Sequence, residues 1–142
     1  MRIRDVLRTK GPNVITIAPE TSVQEATRVL VRHRIGALVV SDGKLRGMVT
    51  ERDLLHRAAE DIHGLATCRV QDIMTREVIT ATPDAEIREV MDIMTEHRIR
   101  HLPVVVDGAL TGIISIGDVV KTRVDELETE KDQLVDYIRS GR

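Results

Sequence analysis

Aromatic side chains are almost absent from this 142-residue chain, which has no tryptophan, no phenylalanine and a single tyrosine, Tyr137. Binders of single-stranded nucleic acid stack bases on aromatic rings, so the shortage argues against that partner. A formal net charge of -2 likewise gives no sign of a polyanion-binding surface. Cys68 is the only cysteine. An intramolecular disulfide is thereby excluded, no zinc pattern is present, and a reducing compartment fits. Cys68 is expected to be a small, partly buried apolar residue. No window is apolar for the length of a membrane span. The amino terminus, "MRIRDVLRTKG", carries Arg2, Arg4, Asp5 and Arg8 and no uninterrupted apolar stretch, unlike a secretory signal. A cytoplasmic protein with no membrane partner is the expectation.

What the chain does have is a duplication. Residues 14 to 41 match residues 78 to 105 at a constant offset of 64, identical at 10 of 28 positions, and residues 43 to 53 match 108 to 118 at 4 of 11. Two homologous folding units follow, assigned to residues 1–66 and 67–142. With 31% charged and 42% hydrophobic residues the composition is that of an ordinary globular protein. Units of roughly 60 residues are marginal alone, so the two are expected to share one cooperative structure, with function in the cleft between them.

Each copy opens with a β-branched run, Val14 to Ile17 or Val78 to Thr80, which Pro19 or Pro83 helps to terminate. A helix is predicted next. Ser22 and Glu25 form a candidate capping box ahead of Val23, Ala26, Thr27 and Leu30, while Asp84 is a candidate cap ahead of Ile87, Val90, Met91 and Met94. Then come "GALVVS" and "HLPVVV", each followed by an Asp-Gly pair suited to a tight hairpin, and a returning strand that runs into a second helix. Each unit reads β-α-β-β-α, an α/β class. A short related segment, "IRDVL" at 3 to 7 and "VQDIM" at 70 to 74, is expected to begin each unit, and residues 60 to 69 to form an ordered connector.

The last helix is predicted from about Gly117 to Ile138. Val120, Val124, Leu127, Leu134 and Ile138 form an apolar stripe at spacings of 4, 3, 7 and 4, interrupted by Lys131. Such a stripe needs a covering surface. Two remain open: the protein's own core, or a second copy.

The pieces that carry chemistry are "GMVTERD", with Thr50 and Asp53, and "GIISIGD", with Ser115 and Asp118, both where a strand becomes a helix. A hydroxyl followed three residues later by a carboxylate is what a helix amino terminus favours, and capping alone would account for either motif. The same place suits a nucleotide: unpaired amides attract phosphate, and an ionised carboxylate can accept from both ribose hydroxyls. Gly47 and Gly112 either start their strands or let a ligand approach the backbone. Arg34 and Arg98 fit the carboxyl ends of helices, where cations are favoured. His97 and His101 are four apart but fall on different elements, so no metal site is expected. No nucleophile, base and orienting acid form a recognisable set, and catalysis is not expected.

With these motifs in order and at matching spacing, residues 3 to about 124 resemble a tandem pair of cystathionine β-synthase (CBS) domains, often called a Bateman module. The resemblance implies two clefts for adenine nucleosides or nucleotides: AMP, ADP, ATP, NAD or S-adenosylmethionine. It matches Asp53 and Asp118 to the family's ribose-binding carboxylate and Thr50 and Ser115 to its hydroxyl position. Val14, Ile15 and Thr16, with Val78, Ile79 and Thr80, match the stretch that encloses the base. Arg98, Arg100 and His101 match its phosphate-facing basic group, where the first copy has only Arg34 with Gly36 and Ala37, so the sites should be unequal. Arg52, replaced by Gly117 in the other copy, is a further phosphate candidate.

The resulting expectation is a stand-alone, non-enzymatic sensor. It would need no cofactor beyond a regulatory adenosine-containing ligand, pair with a second copy as a homodimer and modulate a separate protein. A ligand-independent interaction scaffold with vestigial clefts is the alternative. A nucleotide-hydrolysing enzyme is a further rival, for which the sequence offers no activated water or metal site.

Overall fold

The structure, a computed structural model, describes residues 1–11 and 13–141. In chain order the elements are α1 (Ile3–Lys10), β1 (Thr16–Ile17), α2 (Val23–His33), β2 (Ala37–Ser41), β3 (Leu45–Thr50) and α3 (Glu51–Glu60). They continue with α4 (Ile62–Leu65), α5 (Val70–Ile73), α6 (Ile87–His97), β4 (His101–Val106), β5 (Ala109–Ser115) and α7 (Ile116–Arg139).

The first half follows the expected β-α-β-β-α order. β1 runs parallel to β2, and β2 pairs antiparallel with β3. Ser22 caps α2, its hydroxyl accepting the Glu25 N–H at 3.1 Å. Val23, Ala26 and Leu30 are buried, which is the stripe that periodicity marked out, less Thr27. The second half departs from expectation at its start. Val78 to Thr80 is not a strand; a single parallel bridge joins Ala81 to Val104. Ala81 donates to the Pro103 carbonyl and accepts from Val105 N–H, both at 2.9 Å. The next rung would need an N–H from residue 103, and proline has none. Val39 occupies that register position in the first half. Asp84 is also not the cap of α6, whose N-cap is Glu86, in register with Ser22. Asp84 instead pairs with Arg4.

The short leading segments, for which a short helix or a turn is expected, are helices, and each packs on the other repeat. In α1, Ile3 and Val6 are buried with Ala81, Ile87, Val90, Met94, Leu102, Val104, Ile114 and Val119 of the second half. Val70 of α5, with Ile73 and Met74 against it, joins Ile17, Ala26, Leu30, Leu38, Val40 and Val49 of the first. The backbone contacts repeat in register. Ile3 N–H donates to Ala85 and Arg4 N–H to Pro83, as Val70 N–H donates to Thr21 and Gln71 N–H to Pro19. The halves therefore exchange their leaders. A third cluster, buried Ala37, Val39 and Met48 with Val14, Leu45, Val78, Leu110 and Ile113 packed against it, joins the two sheets.

Gly47 and Gly112 serve this exchange. A Cβ on Gly47 would stand 2.5 Å from the Thr75 carbonyl oxygen, and one on Gly112 2.6 Å from a Leu7 methyl. Both glycines lie inside their strands and not at the starts, and it is the leaders that approach the backbone here, which neither reading of the sequence names. In the second hairpin Asp107 (φ 49°) and Gly108 (φ 80°) both take the left-handed conformation of a two-residue turn.

Only one face of α7 is covered: Val119 and Thr122 are buried, while Val120, Val124, Leu127, Leu134 and Ile138 are 47% to 66% exposed. The protein's own core is thus not what covers the predicted stripe. No helix among the described residues is long and apolar enough to cross a membrane.

Candidate functional site

Both strand-to-helix junctions are built alike. Thr50 N–H donates to Asp53 Oδ2 at 2.9 Å and Asp53 N–H returns to the Thr50 hydroxyl at 3.2 Å. Ser115 and Asp118 repeat this at 2.9 and 3.2 Å. The first amide of each helix is also satisfied: Glu51 N–H reaches the Gly36 carbonyl at 3.0 Å and Ile116 N–H the Arg100 carbonyl at 2.8 Å. Both motifs are thus complete capping boxes. Capping does not exhaust them. Among the described residues nothing bonds Asp118 Oδ1 or the second helical amide, Arg52 or Gly117 N–H. A free carboxylate oxygen beside a free amide at a helix start can receive a hydroxyl and an anion together.

The two sites differ in what the leaders bring. Thr75, just after α5, offers its hydroxyl to Asp53 Oδ1 at 3.4 Å. Lys10, the last residue of α1, puts its ammonium 2.6 Å from Asp118 Oδ2 and 2.9 Å from the Ile113 carbonyl. Burial raises the Asp118 carboxyl, but Lys10 and the Ser115 amide and hydroxyl together hold it below the ordinary carboxylate range. It is ionised at neutral pH. Half-buried His101 is also lowered, here by burial first and then by Lys10 and Arg100, against the opposing pull of Glu51 and Asp118. Its imidazole is neutral at neutral pH.

Other expected residues are only partly assembled. Thr16 and Thr80 are exposed, Ile15 and Ile79 turn into the cores of their own halves, and Val14 and Val78 pack in the seam between the sheets. Thr80 lines a hollow of about 580 Å³ between the two hairpin turns. Arg52 and Arg100 are exposed, and Arg34 and Arg98 end α2 and α6 in the left-handed conformation. The larger hollow, about 790 Å³, lies among α1, the start of α6 and α7, with Asp118 and Lys10 on its wall. Of the expected site residues it takes only Asp118. Lys10 has no counterpart in the pattern of repeats and was not legible from it. No group of three His, Cys, Asp or Glu side chains among the described residues is arranged to hold a metal ion.

The CBS domain model matches residues 3–60 and 70–125. A CBS domain-containing protein of Arabidopsis thaliana, CBSX3, named as mitochondrial, is 36% identical over 149 residues, covering 98% of this chain and 72% of its own length. The crystal structure of the CBS-domain containing protein ATU1752 from Agrobacterium tumefaciens superposes with a TM-score of 0.84 at 42% identity, covering 87% of this chain and 99% of that one. The CBS domain pair of MJ0100, solved in complex with 5′-methylthioadenosine and S-adenosyl-L-methionine, covers 89% of this chain and 98% of its own, at 29% identity and a TM-score of 0.76. Two matched repeats, two alike strand-to-helix junctions and these neighbours agree, and the chain belongs to the CBS-domain family as a tandem pair.

Proposed function

We propose that this CBS pair is a non-catalytic sensor. It binds an adenosine-containing ligand at the starts of α3 and α7 and passes the occupancy to a partner protein. The observation that carries the reading is the ionised Asp118, which keeps one oxygen free beside the free Gly117 amide. Ligand contacts that bridge the halves would favour one arrangement of the pair over another by the difference in affinity for the two. The complex of MJ0100 with two adenosyl compounds supports this class of ligand.

The test is thermal unfolding followed by circular dichroism with AMP, ADP, ATP, NAD and S-adenosylmethionine, on wild type, Asp53→Ala and Asp118→Ala. A ligand at a hundred times its Kd is expected to stabilise by about 2.7 kcal/mol, or about 5 to 10 °C. Loss of the shift in one variant identifies the working cleft. No shift with any ligand favours the second reading, an interaction scaffold in which the carboxylates act only as caps.

The uncovered face of α7 supports a homodimer under either reading. Val120, Val124, Leu127, Lys131, Leu134 and Ile138 alternate spacings of four and three, the seam of a two-stranded coiled coil.

A further inference from the structure

Lys10 is where the duplication breaks. It ends α1, and because α1 lies on the second half, its ammonium reaches the start of α7 from the other repeat, 2.6 Å from Asp118 Oδ2 and 2.9 Å from the Ile113 carbonyl. Aligning the leaders on Ile3 and Val70 puts Glu77 opposite Lys10. The first-half counterpart of the Ile113 carbonyl, that of Met48, takes the Thr75 backbone N–H at 2.8 Å instead. Asp53 receives only the Thr75 hydroxyl from its leader. One ribose-type carboxylate thus faces a cation and the other a neutral donor.

We infer that Lys10 is a latch on the second cleft: it occupies the Asp118 carboxylate until a ligand's phosphate draws the ammonium away, so this cleft selects phosphorylated adenosine over the bare nucleoside. The inference rests on the nucleotide reading above and deepens it. Among the described residues Asp118 Oδ1 is free, but Oδ2 already accepts from both Ser115 N–H and Lys10, so a ribose diol that bonds both carboxylate oxygens competes with the ammonium. A neutral nucleoside leaves that ammonium without its anion, among Arg100 and His101. A nucleotide supplies a replacement anion, and one charge-assisted hydrogen bond exchanges for another. The flexible four-carbon stem of lysine permits the swing. The first half has Gly36, Ala37 and Glu77 where the second has Arg100, His101 and Lys10, which leaves Arg52 as its phosphate candidate, and its Asp53 meets the Thr75 hydroxyl in place of an ammonium.

The test is calorimetric titration of AMP and of adenosine into wild type, into Asp53→Ala, which silences the first cleft, and into Asp53→Ala carrying Lys10→Met, Lys10→Gln or Lys10→Arg. Circular dichroism verifies the fold of each, and the two neutral replacements keep the test open if one fails to fold. Removing the ammonium is expected to tighten adenosine and weaken AMP, compressing the ratio of their affinities by about tenfold or more, with Lys10→Arg keeping most of it. An unchanged ratio in the folded neutral variants overturns the latch and leaves nucleotide binding intact. Binding by wild type that vanishes in Asp53→Ala places the ligand in the first cleft and also overturns it. Binding of neither probe by wild type or any variant overturns the latch together with the nucleotide reading.

Discussion

Asp118 and His101 sit within one electrostatic neighbourhood, and both have folded pKa values below their ordinary ones. The folded pKa of Asp118 is depressed below its ordinary 3.8, so its contribution to stability is present above that value and is lost as pH falls through the folded pKa. His101 is depressed below 6.5 mainly by burial, so the unfolded chain takes up a proton on it first. Stability therefore falls as pH drops from about 6.5 toward the folded pKa, well before Asp118 is reached. The charged groups around it are Lys10, Arg100, Glu51 and Asp118. Replacing His101 by alanine, the residue at Ala37 in the first half, is expected to flatten this part of the profile. Urea midpoints at pH 7.5 and 5.5 check it: wild type loses more stability than His101→Ala between the two, and equal losses would assign the acid sensitivity to other groups.

Among the elements, α7 carries the largest unsatisfied demand. Its inner face is anchored by Val119 and Thr122, and Arg123 is bonded to Glu126 at 2.8 Å, but the outer stripe stays about half to two-thirds exposed. With β-branched Val124 and Ile138 alternating with Leu127 and Leu134 along the seam, two parallel copies are the arrangement that packing favours, and a single lysine in such a seam fixes register at a cost in stability. Leu127→Glu is expected to shift the protein toward monomer in analytical ultracentrifugation. Lys131→Leu is expected to tighten the association, and a monomeric wild type at high concentration would count against the seam. Periodicity revealed this stripe in the sequence; that the inner face of the helix, and not the stripe, reaches the core is a matter of how α7 is rotated against α6 and α1.

At the scale of the whole molecule, the exchange of α1 and α5 turns two marginal repeats into one cooperative body. Ile3 is fully buried in the second half although it precedes the first. Ile3→Ala is expected to cost about 2 to 5 kcal/mol. Because the leaders are reciprocal, the loss should appear as one shifted transition. Hydrogen exchange distinguishes the cases: amides in β2 and β3 should lose protection along with those in β4 and β5, and an effect confined to β4 and β5 would show the halves to be independent.

The duplication, the β-α-β-β-α order of the first half, most of the buried stripes of α2 and α6 and the two capping carboxylates were legible in the sequence, because each rests on spacing along a few neighbouring residues. The strand expected at Val78 to Thr80 was not cancelled by any local preference; it was cancelled by Pro103, whose missing N–H matters only once strands are paired. The same holds for Asp84, which looks like a cap and is instead the partner of Arg4, 80 residues away. Lys10 reads as an ordinary charge before a glycine until α1 crosses to the other half and sets it on Asp118. Local sequence thus determined what each segment is, since helix and strand patterns and caps are short-range physics. Which repeat each leader completes, and hence which carboxylate meets a cation, was decided only by the tertiary structure, because hydrophobic burial is non-directional and selects partners by packing rather than by order along the chain.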